Sequence, residues 1–167
     1  MSTTNKIIFD FSTNSDTSRW QVVDDGVMGG LSQGNFKVEN GQAVYEGDVS
    51  LENNGGFSSL RYNPADAVLV DDHKYLTLHL NGDGSKYQAR IKHSRSDYYS
   101  YVYDFKTDGK NQIIKIPLAE MKPTFRGRDL NMDLFQENEI NQVAILIGNK
   151  KEQDFKLCIS KIELTKS

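Results

Sequence analysis

The stretch NFKVENGQAVYEG, residues 35–47, contains the pattern that decides the fold class of this chain. Apolar and polar residues alternate on both sides of Asn40-Gly41, and alternation with period 2 is typical of half-buried strands. Asn-Gly tolerates the positive φ that a type I′ turn requires, so the stretch predicts a hairpin with a two-residue turn. The resulting register brings apolar residues together across the strands. The predicted pairs are Phe36 with Tyr45 and Val38 with Ala43.

The same alternation recurs in KYLTLHLNG (74–82) and YQARIKH (87–93). QVAILIG (142–148) is apolar on both faces, which predicts a central strand that is covered on both sides. In the last strand the apolar positions slip by one between Ile159 and Ile162, which predicts a β-bulge. NGDGS (81–85) and TDGKN (107–111) have the composition of turns and predict two further hairpin loops.

These patterns predict an all-β protein of about ten strands. No segment shows helical periodicity over three turns, although PLAEM (117–121) and MDLFQENEI (132–140) each predict one or two short helical turns. Many short strands without long helices favour an antiparallel β-sandwich or jelly roll. The length of 167 residues is that of one domain, so we expect residues 1–167 to form a single domain.

Composition and charge exclude several classes of partner. The net charge is -3, and the nearest approach to a basic patch in the sequence is Lys122, Arg126 and Arg128, so we expect no nucleic-acid binding. No apolar run approaches the roughly 20 residues of a membrane span, so we expect no membrane insertion. The first residues lack the pattern of a secretory signal or a mitochondrial presequence, which predicts a cytoplasmic protein of a bacterium.

The glycines concentrate in two loops, DDGVMGG (24–30) and ENNGGF (52–57). Neither loop has the spacing of a P-loop or of a dinucleotide-binding fingerprint, so a phosphate-binding role is disfavoured. We expect tight turns and close backbone packing, which glycine permits. Asp24 and Asp25 are typical of turn formation. A calcium site that adds Asp48 and Glu52 is the weaker alternative.

Aromatic residues suggest one buried anchor and one candidate surface. Trp20, the only tryptophan, lies beside Val22 and Val23, and we expect it to be buried. SDYYSYVYDF (96–105) places four aromatic residues on one face of a strand, with its Phe105 end expected in the core and its Tyr99 end near a rim. The stripe could hold a ligand by stacking or simply belong to the core. Its members are Tyr99, Tyr101, Tyr103 and Phe105.

Catalytic motifs are lacking in the sequence. The three histidines, His73, His79 and His93, lie on different predicted elements without the spacing of metal ligands. No serine lies in a G-x-S-x-G elbow, and Cys158 alternates with core positions as a structural thiol would. We therefore expect no enzyme activity, no catalytic residue, no metal site and no cofactor.

Three segments, residues 20–36, 41–62 and 116–130, resemble the complex I intermediate-associated protein family, in the expected order and from about Ile7 to Leu164. The resemblance rests on a tryptophan before a D-G-V-M-G-G loop, a G-x-V-S-L strand, an N-G-G-F loop that leads to an arginine, and a late R-G. The matching residues are Trp20, Asp25, Gly26, Val27, Met28, Gly29, Gly30, Gly47, Asn54, Gly55, Gly56, Phe57, Arg61, Arg126 and Gly127.

The resemblance implies a galactose-binding-like β-sandwich, a jelly roll that carbohydrate-binding modules share. The best-known member of the family is a mitochondrial chaperone-like assembly factor of respiratory complex I, and this chain resembles a stand-alone bacterial version. The resemblance thus implies a non-catalytic binding or assembly module that engages a protein partner. The alternative is a carbohydrate-binding module, in which the tyrosine stripe stacks a sugar beside Arg90, Lys92 or His93. Candidate contact residues are Asp24, Asp25, Arg61, Arg126, Tyr99 and Tyr101.

Overall fold

The computed structural model describes residues 5–14, 16–24, 30–52 and 56–167. The regular secondary structure of the described chain is almost entirely strand, which confirms the all-β prediction. The strands are β1 (Lys6–Asp10), β2 (Trp20–Asp24), β3 (Gln33–Glu39), β4 (Gln42–Val49), β5 (Ser58–Tyr62), β6 (Val68–Leu69), β7 (Tyr75–Asn81), β8 (Lys86–Lys92), β9 (Ser100–Lys106), β10 (Asn111–Pro117), β11 (Lys122–Phe125), β12 (Arg128–Asp129), β13 (Glu139–Ile140), β14 (Gln142–Ile147) and β15 (Gln153–Thr165).

Two antiparallel sheets form a sandwich, as the sequence predicts. The first sheet has the order β10-β7-β15-β4-β3, and β1 pairs with the second half of β15. The second sheet has the order β12-β11-β9-β8-β14-β5-β2. A small separate pair joins β6 to β13. The core lies between the two large sheets, because the strands of both alternate between buried and more exposed residues.

The predicted β3–β4 hairpin is confirmed. Phe36 pairs with Tyr45 and Val38 with Ala43, while Asn40 and Gly41 have φ of 53° and 75°. The predicted bulge in β15 is confirmed as well. The pairing of β15 with β7 shifts register between Ile159 and Lys161, and this shift keeps Ile162 and Leu164 in the core.

The two further hairpins that the turn composition predicts are wrong. Residues 81–85 lead from β7 in the first sheet to β8 in the second, and residues 107–111 lead from β9 back to β10. Turn residues specify a reversal of the chain, but they do not specify whether the next strand joins the same sheet. Thr107 holds the two crossings together, since its hydroxyl donates to Ser85 O at 2.8 Å and accepts from Gly84 N at 2.9 Å.

Helical structure is limited in the described part of the chain. The helical turn expected near residues 117–121 is confirmed as the 3₁₀ helix Leu118–Glu120. The one expected at residues 132–140 is wrong, because this segment consists of bends that lead into β13. Its buried Phe135 packs on the Tyr101 ring, and this long-range contact replaces local helical order. Within the described residues, no helix has the length and apolarity that a membrane span requires.

Candidate functional site

The outer face of the second sheet carries an open groove of about 520 Å³. Its floor consists of outward-facing residues of β5, β14, β8 and β9, and its rim consists of residues 56–57 and of the β11–β12 turn. Because successive strand residues point to opposite faces, the neighbours of the floor residues point into the core. The core thus fixes the position of the groove side chains.

Strand register places two arginines around one small residue at the centre of the floor. Arg61 on β5 and Arg90 on β8 are both cross-strand partners of Ala144 on β14. Lys92 follows Arg90 by two residues on the same face and pairs with Gln142. Strands β5 and β8 come from distant parts of the sequence, so Arg61 meets Arg90 and Lys92 only in the folded sheet.

The three floor cations are partly withdrawn from water and repel one another. Burial, followed by the charge of Arg61, lowers the pKa of Arg90 to about 10. Burial lowers the pKa of Arg61 as well. Burial and then the charges of Arg61 and Arg90 lower the pKa of Lys92, while Asp97 opposes this shift. The groove therefore has a positive potential that a bound anion would relieve.

These cations donate hydrogen bonds to neutral oxygen atoms. Arg61 Nε donates to Ser59 Oγ at 3.1 Å, and Lys92 Nζ donates to the carbonyl oxygen of Asp97 at 2.8 Å. The described residues that line the groove include four cations and neither an aspartate nor a glutamate, and the fourth cation is Arg126. An anionic ligand would thus supply the carboxylate or similar group that the groove itself lacks.

We expect Arg90→Met to raise the free energy of unfolding by about 1 kcal/mol, because it removes a desolvated charge next to Arg61. The sign follows from the lowered pKa: at neutral pH the folded state holds the charged form less favourably than the unfolded state does. Urea unfolding measures the effect. The matched control is Lys115→Met at an exposed position of β10 in the other sheet, with an expected change within about 0.5 kcal/mol. A lower stability of Arg90→Met would mean that Arg90 braces the fold.

The rim of the groove contains a tight turn and two exposed aromatic rings. Arg126 and Gly127 form the two-residue turn between β11 and β12, with φ of 51° and 79°. Arg126 Cζ lies 5.2 Å from the centroid of the Phe125 ring. Tyr98, whose side chain is 62 % exposed, meets Phe125 edge to face at 5.2 Å between centroids. The late R-G of the sequence signature is therefore a turn at the edge of the groove.

The tyrosine stripe belongs to the core. Tyr101 is 5 % exposed and Phe105 is 6 % exposed, and both form part of the hydrophobic core, while the half-buried Tyr99 packs against Tyr101. Arg90 and Lys92 lie on the opposite face of the sheet. The predicted sugar site that combines the stripe with these cations is wrong, because alternation along β8 and β9 separates the two groups.

His93 also lies apart from the groove, and its Nδ1 lies 3.2 Å from the carbonyl oxygen of Glu139. The aromatic residues that reach the groove are Tyr98 and Phe125, which the sequence reasoning did not select. The sequence feature that could have pointed to Tyr98 is its position just outside the alternating stripe. For Phe125 the one such feature is its place directly before the Arg126-Gly127 turn.

Asp24 connects the two sheets. Tyr45 OH of β4 donates to Ser58 Oγ of β5 at 2.7 Å, and this serine donates to Asp24 Oδ1 at 2.5 Å. The other oxygen, Asp24 Oδ2, accepts from the backbone N–H of Gly34 at 3.0 Å. Both carboxylate oxygens thus accept hydrogen bonds within the protein. This geometry favours a bracing role for Asp24 over the contact role that the sequence suggested.

Part of the predicted signature lies outside the described residues, namely Asp25, Gly26, Val27, Met28, Gly29, Asn54 and Gly55. Of the remainder, Gly30 is buried, and Gly47 packs against the backbone of β3. Gly56 and Phe57 line the groove together with Arg61, Arg126 and Gly127. The described groove residues include no histidine, cysteine, aspartate or glutamate.

Sites for other chemistry find little support in the described chain. Among its residues, no group of three or more histidine, cysteine, aspartate or glutamate side chains could hold a metal ion. The half-buried Cys158 lies on β15 in the first sheet, and burial raises the pKa of its thiol, which favours the structural role that alternation predicts.

The fold is a β-sandwich with an open, cation-lined groove on the outer face of one sheet. The chain belongs to the complex I intermediate-associated protein 30 (CIA30) family, whose model matches residues 9–159. The resemblance inferred from the sequence is thereby confirmed. An uncharacterized protein of Schizosaccharomyces pombe, C9E9.15, is 27 % identical over 179 residues, which cover 93 % of this chain and 82 % of that protein.

Solved structures with similar folds include carbohydrate-binding modules and part of an agarase. A family 11 carbohydrate-binding module from Clostridium thermocellum, in complex with a β-1,3-1,4-mixed-linked tetrasaccharide, has a TM-score of 0.72 and 16 % identity and covers 99 % of this chain and 97 % of its own. The agarase AgWH50C has a TM-score of 0.62 and 14 % identity, with 98 % of this chain and 24 % of the agarase covered. These likenesses confirm the predicted galactose-binding-like sandwich fold.

Proposed function

We propose that this protein is a non-catalytic binding module that engages a protein partner through the groove of its second sheet. The observation that carries the proposal is the convergence of separate signature segments on one open surface. Gly56 and Phe57 precede β5, Arg61 lies on β5, and Arg126-Gly127 forms a distant turn, yet all of them line the groove. Residues of the family signature that meet at one open groove are better explained by ligand binding than by packing alone.

Membership of the CIA30 family supports a protein partner, because the family is named for association with a complex I intermediate. The described groove residues include no histidine, cysteine, aspartate or glutamate, which supports binding without catalysis. The cytoplasmic location predicted from the sequence is part of this proposal, as is the chaperone-like assembly role.

The proposal is tested by photo-crosslinking in a native lysate. A photoreactive amino acid at Tyr98 samples the groove, and the same amino acid at Ile113, which is 60 % exposed on β10, samples the other sheet. We expect one defined protein to crosslink from position 98 and not from position 113. Arg61→Gln should remove that crosslink while the circular dichroism spectrum stays unchanged. Equal crosslinking from both positions, or none from position 98, contradicts the proposal.

A second candidate function is oligosaccharide binding. The exposed Tyr98 and Phe125 at the rim are aromatic residues of the kind that contact sugars, and the likeness to carbohydrate-binding modules adds fold-level support. Thermal-shift measurements with neutral and acidic oligosaccharides test it, since a ligand that binds the native state raises its melting temperature. No rise with any of them removes this candidate.

A further inference from the structure

The groove is positively charged, whereas the net charge of the whole chain is negative. The chain has a net charge of -3, yet the described residues that line the groove include four cations, Arg61, Arg90, Lys92 and Arg126, and no carboxylate. Lysines elsewhere in the second sheet form ion pairs, Lys86 with Asp104 and Lys122 with Asp129, whereas none of the four groove cations is ion-paired with a described residue. Charge complementarity at this surface therefore requires a negatively charged occupant.

We propose that the groove binds an extended acidic segment of a protein partner, whose aspartate or glutamate side chains pair with Arg61, Arg90 and Lys92. This inference rests on the proposed function and specifies the chemistry of its partner. It differs from the sequence-based expectation, in which no basic surface was evident, because the cations are scattered along the chain and converge only through the sheet.

The spacing of the floor cations suits an extended peptide. Arg61 and Arg90 lie on strands separated by β14, so their backbones are about 10 Å apart at the usual strand spacing. Lys92 is two residues from Arg90, which corresponds to about 7 Å along a strand. In an extended peptide, side chains on the same face recur every two residues, about 7 Å apart, which matches the interval between Arg90 and Lys92. Carboxylates at such intervals can reach two of the cations at once.

Ala144 lies between Arg61 and Arg90, and its small side chain leaves space in which both arginines can contact the same ligand. It is 3 % exposed, and both neighbouring strands place an arginine opposite it. A carboxylate above Ala144 could accept hydrogen bonds from either guanidinium, and such charge-assisted bonds are stronger than neutral ones. It would also offset the repulsion between the arginines.

The floor and the rim together favour an acidic peptide over a neutral sugar or a single-stranded nucleic acid. The bases of a single-stranded nucleic acid stack on open ring faces. One face of Phe125 is covered by the Arg126 guanidinium, and Tyr98 is engaged edge to face with both Tyr99 and Phe125. A neutral sugar would also leave desolvated guanidinium groups without a counter-charge, which is costly. Acidic side chains with small apolar neighbours suit both the floor and the rim.

The test measures the fluorescence anisotropy of labelled peptides with the purified full chain. The probes are an alternating Glu-Ser peptide, its Gln-Ser and Lys-Ser counterparts, a neutral oligosaccharide and a single-stranded oligonucleotide. We expect the Glu-Ser peptide to bind and the Gln-Ser and Lys-Ser peptides not to bind. The affinity should fall as salt is raised, because salt screens exposed charge pairs.

Three variants locate the binding. Arg61→Gln and Arg90→Gln should each weaken Glu-Ser binding about tenfold or more, which is the expected effect of losing a hydrogen bond between charged groups. The matched control, Lys115→Gln, removes the same charge from an exposed position of the first sheet and should change the affinity less than about twofold. Unfolding curves establish that all three variants are folded.

The inference is overturned if Arg90→Gln binds the Glu-Ser peptide as tightly as the parent protein does. It is also overturned if the oligosaccharide or the oligonucleotide binds more tightly than the peptide. A partner that crosslinks from position 98, together with no binding of the Glu-Ser peptide, refutes the acidic segment and leaves the proposed function standing. If no protein crosslinks from position 98 and the Glu-Ser peptide does not bind, both the proposed function and the acidic segment are refuted.

Discussion

Replacement of Trp20 by alanine is expected to lower the free energy of unfolding by about 3–5 kcal/mol. The ring is 7 % exposed and stacks on Tyr62 at 4.8 Å between centroids. It also contacts three phenylalanine rings at centroid distances from 5.1 to 5.8 Å, and these belong to Phe9, Phe11 and Phe36. Because the rings come from four strands and the loop after β1, the vacated space cannot close without moving several of them.

Trp20→Phe is the informative companion variant. Trp20 Nε1 is buried and has no hydrogen-bond partner among the described residues. Phenylalanine keeps most of the ring contacts and removes this unsatisfied donor, so we expect a cost below about 1.5 kcal/mol. Urea unfolding followed by circular dichroism is the suitable measurement, since both variants lack the only tryptophan as a fluorescence probe. Equal costs for the two variants would contradict the prediction that the ring contacts which phenylalanine keeps supply most of the stabilisation.

Replacement of Gly47 by alanine is expected to cost about 3 kcal/mol, since there is no room for a methyl group. A Cβ atom at this position would lie 1.9 Å from the carbonyl oxygen of Gln33 and 2.8 Å from Gly34 Cα. Both obstacles are backbone atoms of β3, the partner strand in the predicted hairpin, and they cannot rotate away as a side chain would. Relief therefore requires separation of β3 from β4.

Gly84→Ala is the matched control for this prediction. Gly84 has φ of 89° but nothing within 4 Å of an added Cβ, so the substitution is opposed only by the backbone conformation, at about 1–2 kcal/mol. We expect Gly47→Ala to have the lower urea midpoint, and we expect faster amide hydrogen exchange in β3 of this variant than in β3 of Gly84→Ala. If Gly84→Ala is the less stable of the two, the close approach of the β3 and β4 backbones is not limiting.

Local patterns predicted several elements because the physical cause is itself local. The Asn40-Gly41 turn determines the β3–β4 register, and alternation determines which side of β9 carries Tyr101 and Phe105 into the core. The bulge near residue 160 was visible for the same reason, since a slip in the apolar period has one simple structural explanation. The family resemblance depended on glycine spacings, which are rare enough to be specific.

The candidate site was less predictable. Arg61 and Arg126 were selected from the signature, and both line the groove, although their contact role remains a prediction. Alternation along β8 and along β9 was recognised separately. The sequence did not show how these two strands pair, so it did not reveal that Arg90 lies on the face opposite the tyrosine stripe. Tyr98 and Phe125 were missed because rim positions follow from how loops lie over the sheet, which no local period describes.

The sequence by itself determined the all-β class, the register of the β3–β4 hairpin, the bulge and the family. Each of these depends on neighbouring residues or on motifs that are read directly along the chain. Only the tertiary structure decided that residues 81–85 and 107–111 cross between sheets and that Arg61, Arg90 and Lys92 share one groove. The physical reason is that the order of strands in a sheet is set by long-range burial of the whole apolar surface. This same order brings together charges that lie far apart in the sequence.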